Sequence, residues 1–313
     1  MKTEQFVSLK KKITENCAKI IIGKDDVIEQ AVICLIAGGH ILLEDLPGTG
    51  KTMLLRAFAK SIGGDFRRIQ FTPDLLPSDL TGIHFYNQKS GEFEFRRGPL
   101  FAQVILADEI NRATPRSQSA LLEVMEEKQI SVDGKTFPME EPYLVMATQN
   151  PIESFGTFPL PEAQLDRFFM RLSLGYMTRG QEISVLRRPD SKDLLADLAQ
   201  VAGPDEILAA RKAFPEVQVS DELAEYLMNI IEETRKNSLV QTGVSTRGAL
   251  ALYRASQIRA AISGRDYVIP EDIKAEAEAT LAHRIILQEN SHLDSRRYIR
   301  NVLDEIPVPL EKI

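Results

Sequence analysis

The feature that most constrains this chain is a short apolar run that ends in a glycine turn and passes straight into a helical pattern. Ile41-Leu42-Leu43-Glu44 leads through Asp45-Leu46-Pro47-Gly48-Thr49-Gly50 to Lys51-Thr52-Met53, and helical spacing of apolar residues follows to Ser61. A strand that feeds a helix this tightly calls for a parallel sheet, because the helix has to pack back across a sheet face. The same turn suits a polyphosphate. Glycines let backbone N–H groups approach, the helix N-terminus adds partial positive charge, Lys51 reaches the β and γ phosphates, and Thr52 offers a hydroxyl to Mg²⁺. The general G-x-x-x-x-G-K-[ST] template asks for Gly at position 45, where this chain has Asp45. The donors come from later residues, so the Pro47-Gly48-Thr49-Gly50 turn still forms the cradle.

Other apolar runs predict the rest of the sheet. His40–Glu44, Arg67–Phe71, Gln103–Ala107, Tyr143–Thr148 and Phe169–Leu174 alternate with helical patterns, which reads as a five-stranded parallel α/β core. Two hairpins interrupt the alternation. In the first, Ile83, Phe85, Phe93 and Phe95 flank a turn at Ser90-Gly91; the second, Gln129 to Phe137, carries the Asp133-Gly134 pair of a type I′ turn. From about Tyr176 the pattern is helical only: Ser220 caps a helix with Leu223, Tyr226, Leu227, Ile230 and Ile231 on one face, Thr246–Ser263 is ended by Gly264, and Pro270 opens a third. The expected division is a nucleotide-binding α/β domain over 1–176, its N-terminal helix marked by Phe6, Leu9, Ile13 and Ile20, a linker over 177–205, and a helical lid over 206–313.

Charge and composition exclude several classes. With 38 Lys+Arg against 45 Asp+Glu the net charge is −7, and a pI near 5.4 argues against a chain held to nucleic acid or anionic membrane by its overall charge. The longest apolar stretch, Ala31 to Leu43, is broken by Gly38-Gly39-His40 and falls short of the roughly 20 residues of a membrane span. Cys17 and Cys34 make no disulfide framework, and His40, His84, His283 and His292 are too scattered for a zinc site. A reduced, cytoplasmic protein is expected.

Further chemistry stands at strand ends. Val104-Ile-Leu-Ala-Asp108-Glu109 closes an apolar strand with two acids; Asp108 is suited to the Mg²⁺ water shell and Glu109 to polarising the water that attacks a γ phosphate. Tyr143 to Thr148 runs into Gln149-Asn150-Pro151, where an amide can hold that water from the other side or simply serve as a turn residue before proline. Arg247, in Ser245-Thr246-Arg247, lies in the first turn of a helix, where a cation opposes the macrodipole and a phosphate would offset it. Arg167, in Gln164-Leu165-Asp166-Arg167, follows the last of the catalytic strands, although an Asp-Arg pair on a surface is ordinarily a salt bridge.

Phosphate loop, acidic strand end, strand ending in Asn, Asp-Arg-Phe and a helical domain with an early Arg, in this order, resemble an AAA+ ATPase. The segments Arg68 to Gly82, Asp108-Glu-Ile-Asn-Arg-Ala113, Ala147-Thr-Gln-Asn-Pro-Ile-Glu153 and Leu160-Pro-Glu-Ala-Gln-Leu-Asp-Arg-Phe168 are similar to the MoxR family, from Ile22-Gly23-Lys24 to Asp272. That resemblance implies a sensor-1 role for Asn150, a sensor-2 role for Arg247 in cis or in trans, and an arginine finger at Arg167, with Arg171 as the runner-up. It also implies adenine packing at Ile22-Gly23 and a nucleotide site completed by Pro47 through Met53. The hairpin Ile83 to Phe95 then corresponds to the insert in the second helix that marks one branch of AAA+ proteins. The implied activity is Mg²⁺-dependent ATP hydrolysis in a homo-oligomeric ring, hexameric in this family, that matures a protein client carrying a von Willebrand factor A domain; no D-x-S-x-S motif of such a domain occurs in this chain. The alternative is a nucleic-acid-dependent motor of the same branch. The hairpin tips, Asn87-Gln-Lys-Ser-Gly91 and Asp133-Gly-Lys135, disfavour it, with one Lys each and no exposed aromatic stack expected there.

Overall fold

Short strands that are apolar on both faces decide this architecture. In the computed structural model, which describes residues 2–45, 48–149, 156–188, 191–288 and 293–309, β1 (Ile41–Glu44) and β2 (Phe66–Gln70) precede the first hairpin, β3 (Gly82–Asn87) and β4 (Glu92–Arg97). Next come β5 (Val104–Asp108), the second hairpin, β6 (Gln129–Val132) and β7 (Lys135–Pro138), then β8 (Leu144–Gln149) and β9 (Met170–Leu172). The five strands outside the hairpins form one parallel sheet in the order β2-β5-β8-β1-β9. Ile41, Leu43, Val104, Leu106, Leu144 and Met146 enter one core, while Leu42, Ile105, Ala107, Val145 and Ala147 enter the other. Apolar residues on both faces are what a sheet covered by helices requires.

The helices are α1 (Thr3–Ala18), α2 (Asp25–Ala37), α3 (Lys51–Ile62), α4 (Pro77–Thr81), α5 (Pro115–Glu127) and α6 (Glu162–Leu165), followed by α7 (Arg179–Leu186), α8 (Ser191–Ala196), α9 (Pro204–Ala213), α10 (Asp221–Lys236), α11 (Thr246–Ile262), α12 (Pro270–Leu281) and α13 (Ser295–Glu305). The larger core joins α1, α2 and α3 to the C-terminal helices: Phe6, Leu9 and Ile13 share it with Leu252, Ala255 and Ile258 of α11. The cap read from the sequence is in place: Ser220 accepts from the Leu223 N–H at 3.3 Å. Ser245 caps α11 in the same way, accepting from the Gly248 N–H at 3.1 Å.

One feature differs from the helical reading of the second half: a two-stranded antiparallel pair, β10 (Val240–Thr242) with β11 (Ile286–Leu287), stands among the helices, while residues 177–205, the expected linker, carry α7 and α8. Strands of two or three residues are too short to show a period.

The hairpins lean on each other. Asp133 and Gly134 both have positive φ, 49° and 76°, as a type I′ turn demands. Phe95 stacks on Phe137 at 5.0 Å with Phe101 against both, and the His84 ring meets the Asp133 carboxylate at 2.7 Å. On that same face the next cross-strand pair, Tyr86 and Phe93, lies beyond the reach of the second hairpin. It is therefore exposed, 54% and 73%, with rings 5.4 Å apart. This corrects the expectation of no exposed aromatic near the first tip. The Glu92 and Glu94 carboxylates beside it repel a phosphate backbone, so the pair adds apolar rather than nucleic-acid-binding character.

Candidate nucleotide site

The strand order sets the site. Because β1 lies between β8 and β9, with β5 next to β8, the carboxyl ends of β1, β5 and β8 open onto one crevice. That crevice is a cavity of about 340 Å³ lined by Asp45, Gly48, Gly50, Lys51, Thr52, Met53, Arg68, Asp108, Glu109 and Thr148. Gly48 and Gly50 have φ of +84° and +91°, and nothing lies within 4 Å of where a side chain would start on either. Both facts leave the backbone bare toward the cavity at the N-terminus of α3. The Lys51 ammonium donates to the Asp45 carbonyl at 3.1 Å. Thr49 belongs to the same loop; Pro47 lies outside the described residues.

The acids at the end of β5 are held by a small network. Thr148 donates its hydroxyl to Asp108 Oδ1 at 2.7 Å and accepts the Glu109 N–H at 2.8 Å, while the Arg68 guanidinium bonds Asp108 Oδ2 through Nε at 3.1 Å and a terminal nitrogen at 2.6 Å. Gln70 donates to Glu109 Oε2 at 2.7 Å, and Arg112 pairs with the same oxygen at 3.2 Å. Glu109 sits in the left-handed region with φ 57°, a conformation that costs energy for a side chain with a Cβ and is characteristic of functional positions. Glu109 lines the cavity. Thr52 and Asp108 supply hard oxygens for Mg²⁺, which takes one or two protein ligands and otherwise water and substrate phosphate. No group of three or more His, Cys, Asp or Glu side chains that could hold a metal occurs among the described residues, so this donor set fits Mg²⁺ delivered with a nucleotide. Asn150 lies outside the described residues.

Asp45 has a structural task that the template does not suggest. Its buried carboxylate accepts from the Ser173 hydroxyl at 2.7 Å and from the N–H groups of Leu174 and Gly175 at 2.8 and 2.9 Å. From the other side the buried Lys24 ammonium donates to the carbonyls of Leu174, Gly175 and Tyr176. The segment leaving β9 is thus gripped between an acid on the phosphate loop and a base next to Ile22-Gly23. Ile22 and Gly23 do not line the phosphate cavity; Gly23 packs on Gln181 of α7, whose amide stands 1.8 Å from where a Gly23 Cβ would be.

The two arginines meet in a different place. Arg167 Nε forms an ion pair with Glu126 Oε2 at 3.0 Å, and Arg247 donates to the other oxygen of the same carboxylate. They line a second cleft of about 560 Å³, together with Lys128, Asp166, Arg254 and Arg284, and among the described residues none of its lining belongs to the phosphate cavity. Beside them Asp166 ties the helical part to the core, accepting from Arg284 at 2.7 Å and from the Ser245 hydroxyl at 3.0 Å. Asp166 therefore pairs with Arg284 and not with its neighbour Arg167. Arg171 is elsewhere: its side chain is mostly buried between Glu44, at 3.2 Å, and Ser295, at 3.0 Å. A cation so enclosed has no open face toward another chain.

Comparison with known proteins agrees with this geometry. The model of the ATPase family associated with various cellular activities (AAA) matches residues 40–170, and that of the AAA lid domain matches 232–302. The chaperone MoxR1 of Mycobacterium tuberculosis is 39% identical over 308 residues, covering 93% of this chain and 80% of the relative. The chain belongs to the MoxR family of AAA+ ATPases. The protein MoxR of Methylorubrum extorquens is 31% identical with 93% of each chain covered, and the uncharacterised protein YeaC of Bacillus subtilis is 45% identical over 96% of this chain and 95% of its own. The crystal structure of a candidate ATPase from Cytophaga hutchinsonii superposes with a TM-score of 0.91 at 39% identity, covering 98% of this chain and 97% of that one.

Four side chains of this MoxR-family site were not picked out as site residues from the sequence: Arg68, Gln70, Thr148 and Glu126. A signal existed for two of them. Arg68 and Gln70 share a face of β2, and Gln70 lies opposite Asp108 in the parallel register, so pairing β2 with β5 would have brought both to the acids. Glu126 carries no local mark.

Proposed function

We propose that this chain is a Mg²⁺-dependent ATPase of a closed homo-oligomeric ring, hexameric as the family resemblance implies, in which each site joins the phosphate loop of one subunit to Arg167 and Arg247 of the next. The observation that carries this reading is the meeting of both arginines at Glu126, in a cleft that shares no lining residue with the chain's own phosphate cavity. In that arrangement Lys51 and the Gly48 to Gly50 N–H groups bind the phosphates, Thr52 and Asp108 hold Mg²⁺, which neutralises phosphate charge, and Glu109, supported by Asn150, orients and deprotonates the attacking water. The functional division is 1–176 for nucleotide binding, 177–205 for the connection and 206–313 for the lid. Hydrolysis serves to mature a protein client, one bearing a von Willebrand factor A domain, in the cytoplasm. The exposed Ile83, Phe85, Tyr86 and Phe93 of the first hairpin offer that client an apolar contact.

Mixing tests the shared site. Arg167→Ala should bind ATP yet turn it over about 10³–10⁵-fold more slowly, the range an arginine finger contributes elsewhere. Lys51→Ala should fail to bind. Mixed oligomers of the two regain activity if one subunit's phosphate loop works with another's Arg167. If mixed oligomers form and remain inactive, or a dilute monomer hydrolyses ATP at full rate, the reading is wrong.

A further inference from the structure

The arginine cleft contains one anion whose position the reaction scheme does not explain. Glu126 sits in the last turn of α5, a helix fixed by its buried Leu121, Leu122, Val124 and Met125. One oxygen of its carboxylate engages Arg167, on the turn before β9, and the other engages Arg247, in the first turn of α11. Two guanidiniums on one carboxylate are close enough to repel each other. Arg247 also faces the positive end of its own helix. Without an acid between them, both side chains would swing apart into solvent, since each is partly exposed, 32% and 48%.

Resting on the shared-site reading above, we propose that Glu126 is a positioning residue: it holds Arg167 and Arg247 side by side, so that a neighbour's γ phosphate meets both at once. Its ion pair with Arg167 runs through Nε, so that among the described residues it does not occupy the two terminal nitrogens of that guanidinium, which can take the incoming anion. Asp166 supports the arrangement from behind. By binding Arg284 and Ser245 it sets the first turn of α11, and with it Arg247, against the core. Glu126 never touches the nucleotide of its own chain and acts only through the arginines.

The test is steady-state ATP hydrolysis by the full chain at protein concentrations where assembly is complete. Glu126→Gln keeps shape and loses charge; kcat should fall about tenfold, the scale of a misplaced catalytic group, while KM for ATP stays within about twofold. Glu126→Asp, which keeps the charge, should recover most of the rate. In an Arg167→Ala, Arg247→Ala background Glu126→Gln should cost nothing further, because the groups it positions are gone. A wild-type kcat for Glu126→Gln, or an equal further loss in the arginine-free background, overturns the proposal. The two readings fail separately: if the arginine-free protein hydrolyses ATP normally, the shared site falls; if it is slow while Glu126→Gln is normal, only the role of Glu126 falls.

Discussion

The phosphate cavity and the arginine cleft are built from the same kinds of residue in opposite ways. In the first, the loop from Asp45 to Met53 supplies most of the lining, and Arg68 with two neighbouring strand ends, Asp108-Glu109 and Thr148, completes it. In the second, five segments between Ala37 and Arg284 each give a few side chains, and the carboxylate at the centre comes from the end of an unremarked helix. A site made by one loop is self-sufficient for binding. A site made by five segments depends on how the helical part sits against the core, so it can respond to assembly. On the proposed shared site, chemistry near bound phosphate would belong to one chain, and control of its rate to the fit between chains.

The largest effect expected within the phosphate cavity separates these two roles. Glu109→Gln removes the proposed base and leaves the cradle, so ATP should bind with near-normal affinity while turnover falls about 10²–10⁴-fold. Fluorescent-nucleotide binding and phosphate release on one preparation check it. Turnover close to wild type would mean that the left-handed Glu109 turn presents its carboxylate for another purpose.

What the sequence disclosed follows the same division. Gly48, Gly50, Lys51 and Thr52 are legible because phosphate binding at a helix N-terminus is a local problem, solved within one turn. Asp108 and Glu109 are legible because an apolar strand ending in acids has few uses beside such a loop. The strands themselves showed as short apolar runs, with no bound off by more than two residues, as at Met170–Leu172 against the expected Phe169–Leu174. Arg167 and Arg247 drew notice singly, but that they share Glu126 is a fact of tertiary packing across 121 residues of sequence. No periodicity carries it. Asp45 was seen as a departure from a template, and its partners in Ser173, Leu174 and Gly175 lie 128 to 130 residues away.

A second, smaller effect tests whether the cavity is as self-sufficient as its loop suggests. Asp45→Asn leaves a carbonyl oxygen but turns an amide toward donors that need an acceptor, so the chain should lose about 2 kcal/mol of stability. Asp45→Gly, which restores the general template, should lose more, because the buried N–H of Leu174 is left without a partner and the part-buried N–H of Gly175 loses its own. Urea titration of the three proteins ranks them. If Asp45→Gly proves as stable as the parent, the grip on the segment after β9 is not structural, and the acid must be sought in nucleotide binding.

The smallest effect is specific to the arginine cleft. His40 lies in its wall, buried, where its Nε2 meets the Met125 carbonyl at 3.0 Å and its Nδ1 accepts the Val145 N–H at 3.0 Å. It thereby fastens the turn of α5 that carries Glu126 to β8. Both contacts suit only the neutral ring, since a second ring proton would oppose the Val145 N–H. Burial, aided by the charges of Lys128 and Arg211 and opposed by the Met125 contact, lowers its pKa from 6.5 to about 4. Between those values the unfolded chain binds more protons than the folded one, so the contribution is complete above pH 6.5 and is lost as pH falls toward 4. Buried Glu276, raised by desolvation to about 7, slopes the opposite way over part of that range, so the His40 share has to be read by difference. His40→Gln keeps one donor and one acceptor and cannot titrate. Its stability gap from the parent should therefore close by about 1 kcal/mol between pH 7 and 5.5. A gap that stays constant with pH would show that the ring is not held neutral, and the stiff support assigned to Glu126 would lose its foundation while the phosphate cavity kept its own.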